Sequence, residues 1–142
     1  MAALADVLRS KGTEVVSVHA DDSAFDAIHV MNERGIGSVM VMERGVLLGV
    51  ISERDIARKV ALQEKSLRTT PAREIMTAEV VSVSPETTVE QAMAIMTDKR
   101  VRHLPVRNES GVVGVISIGD LVKAVIDAQA EQIEHLERYI TG

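Results

Sequence analysis

The sequence repeats itself at a fixed spacing of 65 positions. Val15–Val18 recurs as Val80–Val83, and Gly49–Ser52 recurs as Gly114–Ser117. Without a gap, this offset aligns residues 15–60 with a second copy, and 13 of the 46 aligned pairs are identical. Because two separate motifs keep one ungapped register, the chain is a duplicated unit. A single copy would leave much apolar surface exposed, so we expect the copies to pack together about a pseudo-twofold axis.

Each copy predicts the same order of elements, β-α-β-β-α. A β-branched run precedes an amphipathic helix, and two apolar runs joined by a turn precede a second helix. Ser23 is the predicted cap of the first helix, and Ser84-Pro85-Glu86 is the predicted start of its counterpart. The predicted strands cover residues 15–18, 38–42 and 46–51 of the first copy and residues 80–83, 103–106 and 112–116 of the second.

These patterns predict an α/β (α+β) fold with an extended C-terminal helix. We expect the first repeat, with an N-terminal helix, at residues 1–66 and the second repeat at residues 67–126. The C-terminal helical extension is expected at residues 127–142.

Composition excludes several classes of protein. The chain has no cysteine, which removes disulfides, zinc–thiolate sites and thiol catalysis. Aromatic residues make up 1% and the net charge is -5, so neither base stacking nor a basic field favours nucleic-acid binding. The first residues lack a basic start followed by a long apolar run, and no segment has the length of a membrane span. We expect a cytoplasmic protein that binds neither nucleic acid nor membrane.

Motifs of catalysis are missing from the sequence. It contains no P-loop, dinucleotide-binding glycine motif, zinc-protease motif or nucleophile elbow. The four histidines are scattered without ligand spacing. Gly35 and Gly37 lie between a helix and a strand, where a helix C-cap and a tight turn are the preferred interpretation. We therefore predict no enzyme, no catalytic residue and no metal site.

A repeated Ser-x-x-Asp motif ends one predicted strand and begins one predicted helix in each copy. The motifs are Ser52 to Asp55 and Ser117 to Asp120. In one interpretation they are capping boxes that need no ligand. In the other, the carboxylate accepts hydrogen bonds from ribose hydroxyls, while the serine and free backbone N–H groups face a phosphate. Spacing alone does not decide between them.

A basic cluster precedes one strand of the second copy. Arg100, Arg102 and His103 stand there, followed by Pro105. They are either exposed residues at the start of a strand or a phosphate clamp. The first copy has Ile36-Gly37-Ser38 at this place. Packing about a pseudo-twofold axis would create two clefts between the copies, and this difference predicts that the two clefts are unequal.

The duplicated unit, with Gly-Val-Ile-Ser-x-x-Asp closing each copy, resembles the tandem CBS-domain pair, or Bateman module. Glu74-Ile-Met-Thr77 and Arg102-His-Leu-Pro-Val106 match that family as well. The resemblance covers about residues 3–126. It implies two clefts between the repeats that bind adenosine-containing ligands such as AMP, ADP, ATP, NAD(H) or S-adenosylmethionine, with no catalytic cofactor.

The resemblance also implies the residues of each cleft. Asp120 would hold the ribose in the first cleft, and Asp55 would do so in the second. The first cleft would be formed by Thr13, Val15, Val16, Arg102, His103, Leu104, Pro105, Ser117, Gly119 and Asp120. The second cleft, where Arg54 would replace the missing basic pair, would be formed by Ile36, Ser38, Ser52, Arg54, Asp55, Thr77, Val80 and Val81.

Family resemblance further implies a regulated partner protein and a homodimer. The predicted C-terminal helix adds its own indication, because Val122, Ile126, Gln129, Ile133, Leu136 and Ile140 form one stripe at 4-3-4-3-4 spacing. The stripe either lies on its own domain or contacts a second chain, and we favour the second chain. The alternative function is a structural or interaction scaffold with no ligand.

Overall fold

The computed structural model describes residues 2–141. One π-helical turn at Ala57–Ala61 continues the short helix that ends at Ile56. In chain order the elements are α1 (Leu4–Lys11), β1 (Ser17–Val18), α2 (Ala24–Arg34), β2 (Ser38–Glu43), β3 (Val46–Ser52), α3 (Glu53–Ile56), α4 (Ala72–Ile75), α5 (Val89–Lys99), β4 (His103–Asn108), β5 (Gly111–Ser117) and α6 (Ile118–Thr141).

The chain forms two compact units. The repeat-1 unit consists of residues 15–81, and the repeat-2 unit consists of residues 2–14 together with residues 82–141. Helix α1 therefore belongs to the unit of the second repeat, although it precedes the first repeat in sequence. The short helix α4 correspondingly belongs to the repeat-1 unit. The sequence repeats and the structural units are thus divided at different positions.

The predicted antiparallel hairpins are confirmed in both units. In the repeat-1 unit β1 pairs in parallel with β2, and β2 pairs with β3 so that Ser38 is opposite Ser52. In the repeat-2 unit β4 pairs with β5 in the same register, with His103 opposite Ser117. Each hairpin has a β-bulge at the equivalent position, after Val41 in the first. The duplication therefore extends to irregular details of the backbone.

Helices α2 and α5 confirm the predicted amphipathic pattern. Ala27 and Met31 of α2 are buried, as are Ala92 and Met96 of α5. Gly35 ends α2 with a φ of 63°, in the left-handed conformation expected of a helix C-cap. Arg100 takes the same conformation after α5, with a φ of 55°.

The predicted strand at Val80–Val83 is wrong. Only Val83 pairs there, in a single parallel bridge to Val106. In the first repeat the Met40 N–H donates to the Val16 carbonyl at 3.1 Å. Pro105 stands in the place of Met40 and has no N–H to donate, so the second repeat cannot form that bond.

The predicted start of α5 at Ser84 is also wrong. Thr88 caps this helix, and its side chain accepts from the Gln91 N–H at 3.1 Å. Ser84 instead begins a turn in which the Thr87 N–H donates to its carbonyl at 3.1 Å. Two cap-forming residues stand close together here, and the one that also has Gln three residues later completes a capping box.

The segments before the two repeats are bonded in equivalent ways. In the repeat-2 unit the Leu4 N–H donates to the Thr87 carbonyl at 2.8 Å. In the repeat-1 unit the Ala72 N–H donates to the Asp22 carbonyl at 2.7 Å. Each bond ties a preceding segment to the residues just before α5 or α2.

Among residues 2–141, no helix is both long enough and apolar enough to cross a membrane.

One glycine in each unit permits the preceding segment to approach the hairpin. A Cβ atom on Gly114 would lie 2.6 Å from a methyl carbon of Leu8 in α1. A Cβ atom on Gly49 would lie 2.7 Å from the Met76 sulfur and 2.9 Å from the Thr77 carbonyl oxygen. The two glycines are equivalent in the repeat, so close packing explains why both copies have glycine here.

We predict that Gly49→Ala lowers the free energy of unfolding more than Gly114→Ala. Leu8 can change its side-chain conformation, but the Thr77 carbonyl belongs to the backbone and cannot move without disturbing its strand bridge. Overpacking of this kind costs about 1–3 kcal/mol. Urea denaturation of both variants measures the difference. Gly119→Ala is the control, because its Cβ would meet only the Ser117 hydroxyl at 3.6 Å. Equal losses at positions 49 and 114 would contradict the argument.

Candidate functional site

Both Ser-x-x-Asp motifs form capping boxes in the structure. The Ser117 N–H donates to Asp120 Oδ2 at 2.8 Å, and the Asp120 N–H donates to Ser117 Oγ at 3.1 Å. In the first repeat the Ser52 N–H donates to Asp55 Oδ2 at 2.8 Å, and the Asp55 N–H donates to Ser52 Oγ at 3.2 Å. These bonds fix each carboxylate at the point where a buried strand becomes a helix.

A backbone bond brings the neighbouring strand start to each capping box. The Ile118 N–H donates to the Arg102 carbonyl at 2.8 Å in the repeat-2 unit. The equivalent bond in the repeat-1 unit runs from the Glu53 N–H to the Gly37 carbonyl at 3.0 Å. Position 102 and the Ser117 motif, proposed from separate parts of the sequence, therefore lie together.

Lys11 completes the repeat-2 site and was missed by sequence reasoning. Its ammonium group lies 2.5 Å from Asp120 Oδ2 and donates to the Val115 carbonyl at 2.5 Å. The side chains of Lys11 and Asp120 are 34% and 22% exposed, so the pair is partly exposed to water. Lys11 stands 109 positions before Asp120, and no local pattern in the sequence connects them.

The ion pair changes the acidity of Asp120. Burial raises the pKa of this carboxyl group, but hydrogen bonds from Lys11 and Ser117 and the Lys11 charge lower it more. The net pKa therefore lies below the ordinary value of 3.8. Asp120 consequently stabilises the folded protein at pH values above 3.8. This contribution to stability is lost as the pH falls through the lower pKa of the folded state.

A different lysine takes this role in the repeat-1 site. The Lys59 ammonium group lies 3.1 Å from Asp55 Oδ1 and donates to the Ile75 carbonyl at 2.9 Å. Lys59 is four residues after Asp55, a spacing at which side chains meet on a helix, so sequence could have found it. Its counterpart in the second repeat is Ala124. Each carboxylate thus has a lysine partner, but the two lysines come from non-equivalent elements.

Each site also has one arginine, but the two arginines stand at different positions of the repeat. The repeat-2 site has Arg102 at the strand start and Gly119 after the cap. The repeat-1 site has Gly37 and Arg54 at the corresponding places. Both arginines are exposed. Each site therefore combines one capping carboxylate, one lysine and one arginine, and this composition was not apparent from the predicted basic cluster alone.

Ser38 is an unusual polar residue in the repeat-1 site. It is 5% exposed, and its Oγ has no hydrogen-bond partner among the described residues. A buried hydroxyl without a partner costs about 1–3 kcal/mol. Ser38 lies opposite Ser52, so this hydroxyl is beside the capping box.

Thr77 also lies at the repeat-1 site, through its backbone. Its N–H donates to the Val50 carbonyl at 2.9 Å and its carbonyl accepts from the Val50 N–H at 3.1 Å. The segment from Ile75 to Thr77 therefore lies alongside β3, where Thr77 pairs with Val50, two residues before Ser52. Ile36, Val80 and Val81 are half-buried residues of the same unit.

The repeat-2 unit contains eight of the ten residues predicted for the first cleft. His103 is half-buried opposite Ser117, while Leu104 and Pro105 are buried in β4. Thr13 is exposed, two residues after Lys11. Val15 and Val16 belong to the repeat-1 unit, so the repeat-2 unit does not by itself bring them to Asp120.

A groove of about 430 Å³ in the repeat-1 unit is lined by Phe25, Ile28, His29, Asn32 and Glu53, none of which is a predicted site residue. No group of three or more His, Asp or Glu residues within the described chain is placed to hold a metal ion.

The family model for the CBS domain matches residues 5–62 and again residues 72–127. The chain belongs to the CBS-domain family. The chain is 38% identical over 148 residues to the mitochondrial CBS domain-containing protein CBSX3 of Arabidopsis thaliana, covering 98% of this chain and 72% of that protein. CBS pairs are regulatory modules that often bind adenosine ligands.

Solved structures of CBS pairs share this fold. A protein with CBS domains from Burkholderia ambifaria is 44% identical, with a TM-score of 0.85 over 89% of this chain and 96% of that one. A more distant CBS pair, of protein MJ0100, has a TM-score of 0.78 and 22% identity over 90% of this chain and 98% of that one, so the likeness concerns fold alone. That protein was solved with 5'-methylthioadenosine and S-adenosylmethionine. A hexameric CBS-CP12 protein from cyanobacteria has a TM-score of 0.74 and 26% identity over 86% of this chain and 70% of that one.

We predict that Lys11→Met raises the pKa of Asp120. The substitution removes the hydrogen bond and the positive charge of Lys11, while the burial that raises the pKa remains. Titration of the Asp120 carboxyl carbon by NMR measures the change. Lys123→Met, which removes the exposed pair with Asp127, is the control and is expected to leave Asp120 unchanged. An unshifted Asp120 in Lys11→Met would contradict the assigned ion pair.

Proposed function

We propose that this protein is a regulatory module that binds an adenosine-containing ligand and modulates a partner protein. The observation that carries the proposal is the duplicated site, in which a capping aspartate at a strand–helix junction is paired with a lysine. The CBS family and the adenosine compounds bound by the distant MJ0100 pair support the ligand class. AMP, ADP, ATP, NAD(H) and S-adenosylmethionine share the adenosine group that the sites would recognise.

Recognition of the ribose would use the carboxylates of Asp120 and Asp55. A carboxylate has several lone pairs and can accept from both ribose hydroxyls of an adenosine. Asp120 Oδ2 already accepts from Ser117 and Lys11, so the ribose would use Oδ1 or displace the lysine. A displaced Lys11 would be free to meet the ligand's phosphate or other acidic group. Ligand binding would thereby change how α1 is held in its unit.

Recognition of a phosphate would use one arginine in each site. Arginine donates paired hydrogen bonds that fit phosphate oxygens, and both arginines are exposed beside the capping box. Arg102 would serve the repeat-2 site and Arg54 the repeat-1 site. The unpartnered Ser38 hydroxyl would supply a further hydrogen bond in the repeat-1 site.

The alternative function is a scaffold that binds no ligand. It is favoured by the partners that both aspartates already have, because the capping boxes and lysines hold them without any further group. In that case the motif stabilises the helix start, and its loss costs about 1 kcal/mol.

The proposal includes a regulated protein partner and self-association as a homodimer. It includes no catalytic role, and neither nucleic acid nor a membrane is a proposed binding partner. A reducing compartment such as the cytoplasm is favoured by the lack of cysteine in the sequence.

We predict that Asp120→Asn and Asp55→Asn each weaken one ligand-binding step. Asparagine keeps an oxygen for the capping bond but loses the charge and one acceptor, so affinity at the altered site should fall about tenfold or more. Isothermal titration with AMP, ATP, NADH and S-adenosylmethionine measures both steps, and the affinity of the double variant should fall about tenfold or more at both sites.

Asp127→Asn is the matched control for this experiment. It changes an exposed aspartate of α6 that is paired with Lys123, outside both sites. Unfolding in urea verifies that each variant is folded. Failure of every adenosine compound to bind the unaltered protein would favour the scaffold.

We predict a further difference between nucleoside and nucleotide. Arg102→Ala should weaken AMP binding at the repeat-2 site about tenfold while leaving adenosine binding almost unchanged, because only AMP has a phosphate. Arg54→Ala should have the same selective effect at the repeat-1 site. Titrations in the Asp55→Asn and Asp120→Asn backgrounds isolate the two sites. Equal losses for adenosine and AMP would contradict a phosphate role for these arginines.

A further inference from the structure

We propose that α6 pairs in antiparallel orientation with α6 of a second copy of this chain. The inference rests on the self-association included in the proposed function and specifies the surface and the geometry of that association. It involves residues outside both ligand sites, so it can be tested without ligand.

Helix α6 has a supported first part and an uncovered second part. Leu121 is completely buried, and Ala124 and Val125 are half-buried in the repeat-2 unit. From Ile126 to Ile140 every side chain is exposed. A single helix of this length is marginal in water when nothing packs on it. The second part of α6 therefore needs a partner to remain ordered.

The exposed part has the pattern of a two-helix interface. Ile126, Ile133 and Ile140 alternate with Val122, Gln129 and Leu136 along one side, as the a and d positions of a heptad repeat. Ile126 and Ile133 are each 57% exposed, Leu136 is 56% exposed and Ile140 is 80% exposed. Such a stripe of large apolar side chains, interrupted only by Gln129, is typical of a contact surface when it lies on a charged helix.

Matching the two ends of the stripe favours an antiparallel pair. With the two helices centred on Glu131, Ile126 would pack on Leu136 of the partner subunit, and Val122 would pack on Ile140 of the partner subunit. Gln129 would face Ile133 of the partner subunit near the centre. All six stripe positions are used, and the free end of one helix covers the supported end of the other.

The residues beside the stripe complement each other in the same orientation. Lys123 would meet Glu137 of the partner subunit, which joins opposite charges. Val125 would meet Tyr139 of the partner subunit, which covers a tyrosine that is 84% exposed in the single chain. In a parallel pair Glu137 would instead face Gln132 of the partner subunit, and no opposite charges would meet. Charge complementarity therefore selects the antiparallel pair and a second copy as the occupant.

The first test is exchange of the complementary charges. Lys123→Glu and Glu137→Lys should each weaken the dimer about tenfold, because the twofold symmetry places two such contacts in each dimer. The double variant should restore the dissociation constant to about the original value, since the pair is reversed but intact. Sedimentation equilibrium measures the dissociation constant of the dimer for the unaltered protein, the two single variants and the double variant.

Compensation in the double variant cannot arise within one helix. Lys123 and Glu137 are separated by fourteen positions, or about 21 Å along the helix. Lys123 also lies 3.3 Å from Asp127, so Lys123→Glu disturbs that local pair, and Glu137→Lys cannot repair it. Circular dichroism establishes the helix content of each variant. A double variant that stays as weak as Lys123→Glu would overturn the antiparallel arrangement.

The second test uses the absence of cysteine from the chain. Ile126→Cys and Leu136→Cys should form an intermolecular disulfide when both are present, but neither should do so alone. A parallel pair would instead crosslink each single variant with itself, and that result would overturn the proposal. A protein that remains monomeric would refute the self-association itself, whereas calorimetric ligand binding would still decide the adenosine proposal.

Discussion

The hairpin of each repeat depends on a segment that precedes the other repeat. Helix α1 packs on β5, where Leu8 contacts Gly114. The segment after α4 packs on β3, where Met76 contacts Gly49. Either glycine replaced by a larger residue would push this segment away. This exchange of segments, in which each repeat packs on the segment that precedes the other, explains the composition of the compact units. Residues 2–14 belong with the second repeat and residues 72–81 with the first. Neither repeat, cut at the sequence boundary, contains its complete core.

The same exchange places chemical groups at the two candidate sites. Because α1 lies against β5, Lys11 can reach both the Val115 carbonyl and Asp120. Because α4 ends beside β3, the Ile75 carbonyl is available to Lys59, which also holds Asp55. Each lysine thus connects a capping carboxylate to a backbone carbonyl across its unit. If a ligand takes the carboxylate, the connection changes in that unit, and this is a physical basis for a regulatory response.

Much of the fold follows from the sequence because the duplication is so regular. The helices at 24–34 and 89–99 and the two hairpins occupy the same positions after the 65-residue shift. The prediction failed where one residue alters the backbone chemistry: Pro105 cannot donate to the preceding strand, so Val80–Val83 does not form a regular strand. The aspartates and serines of the site could be recognised from their motif. Lys11 could not, because only the folded chain brings it to Asp120.

We propose that Asp120 and Asp55 bind the ribose of the ligand as well as cap their helices. A crystal structure of this chain, from crystals grown with AMP, tests this proposal because it shows the partners of both carboxylates at once. We expect the ribose hydroxyls to donate to Asp120 and Asp55, and we expect Lys11 to have moved from its present position or to contact the phosphate. AMP bound elsewhere, with both lysine–aspartate pairs unchanged, would contradict it.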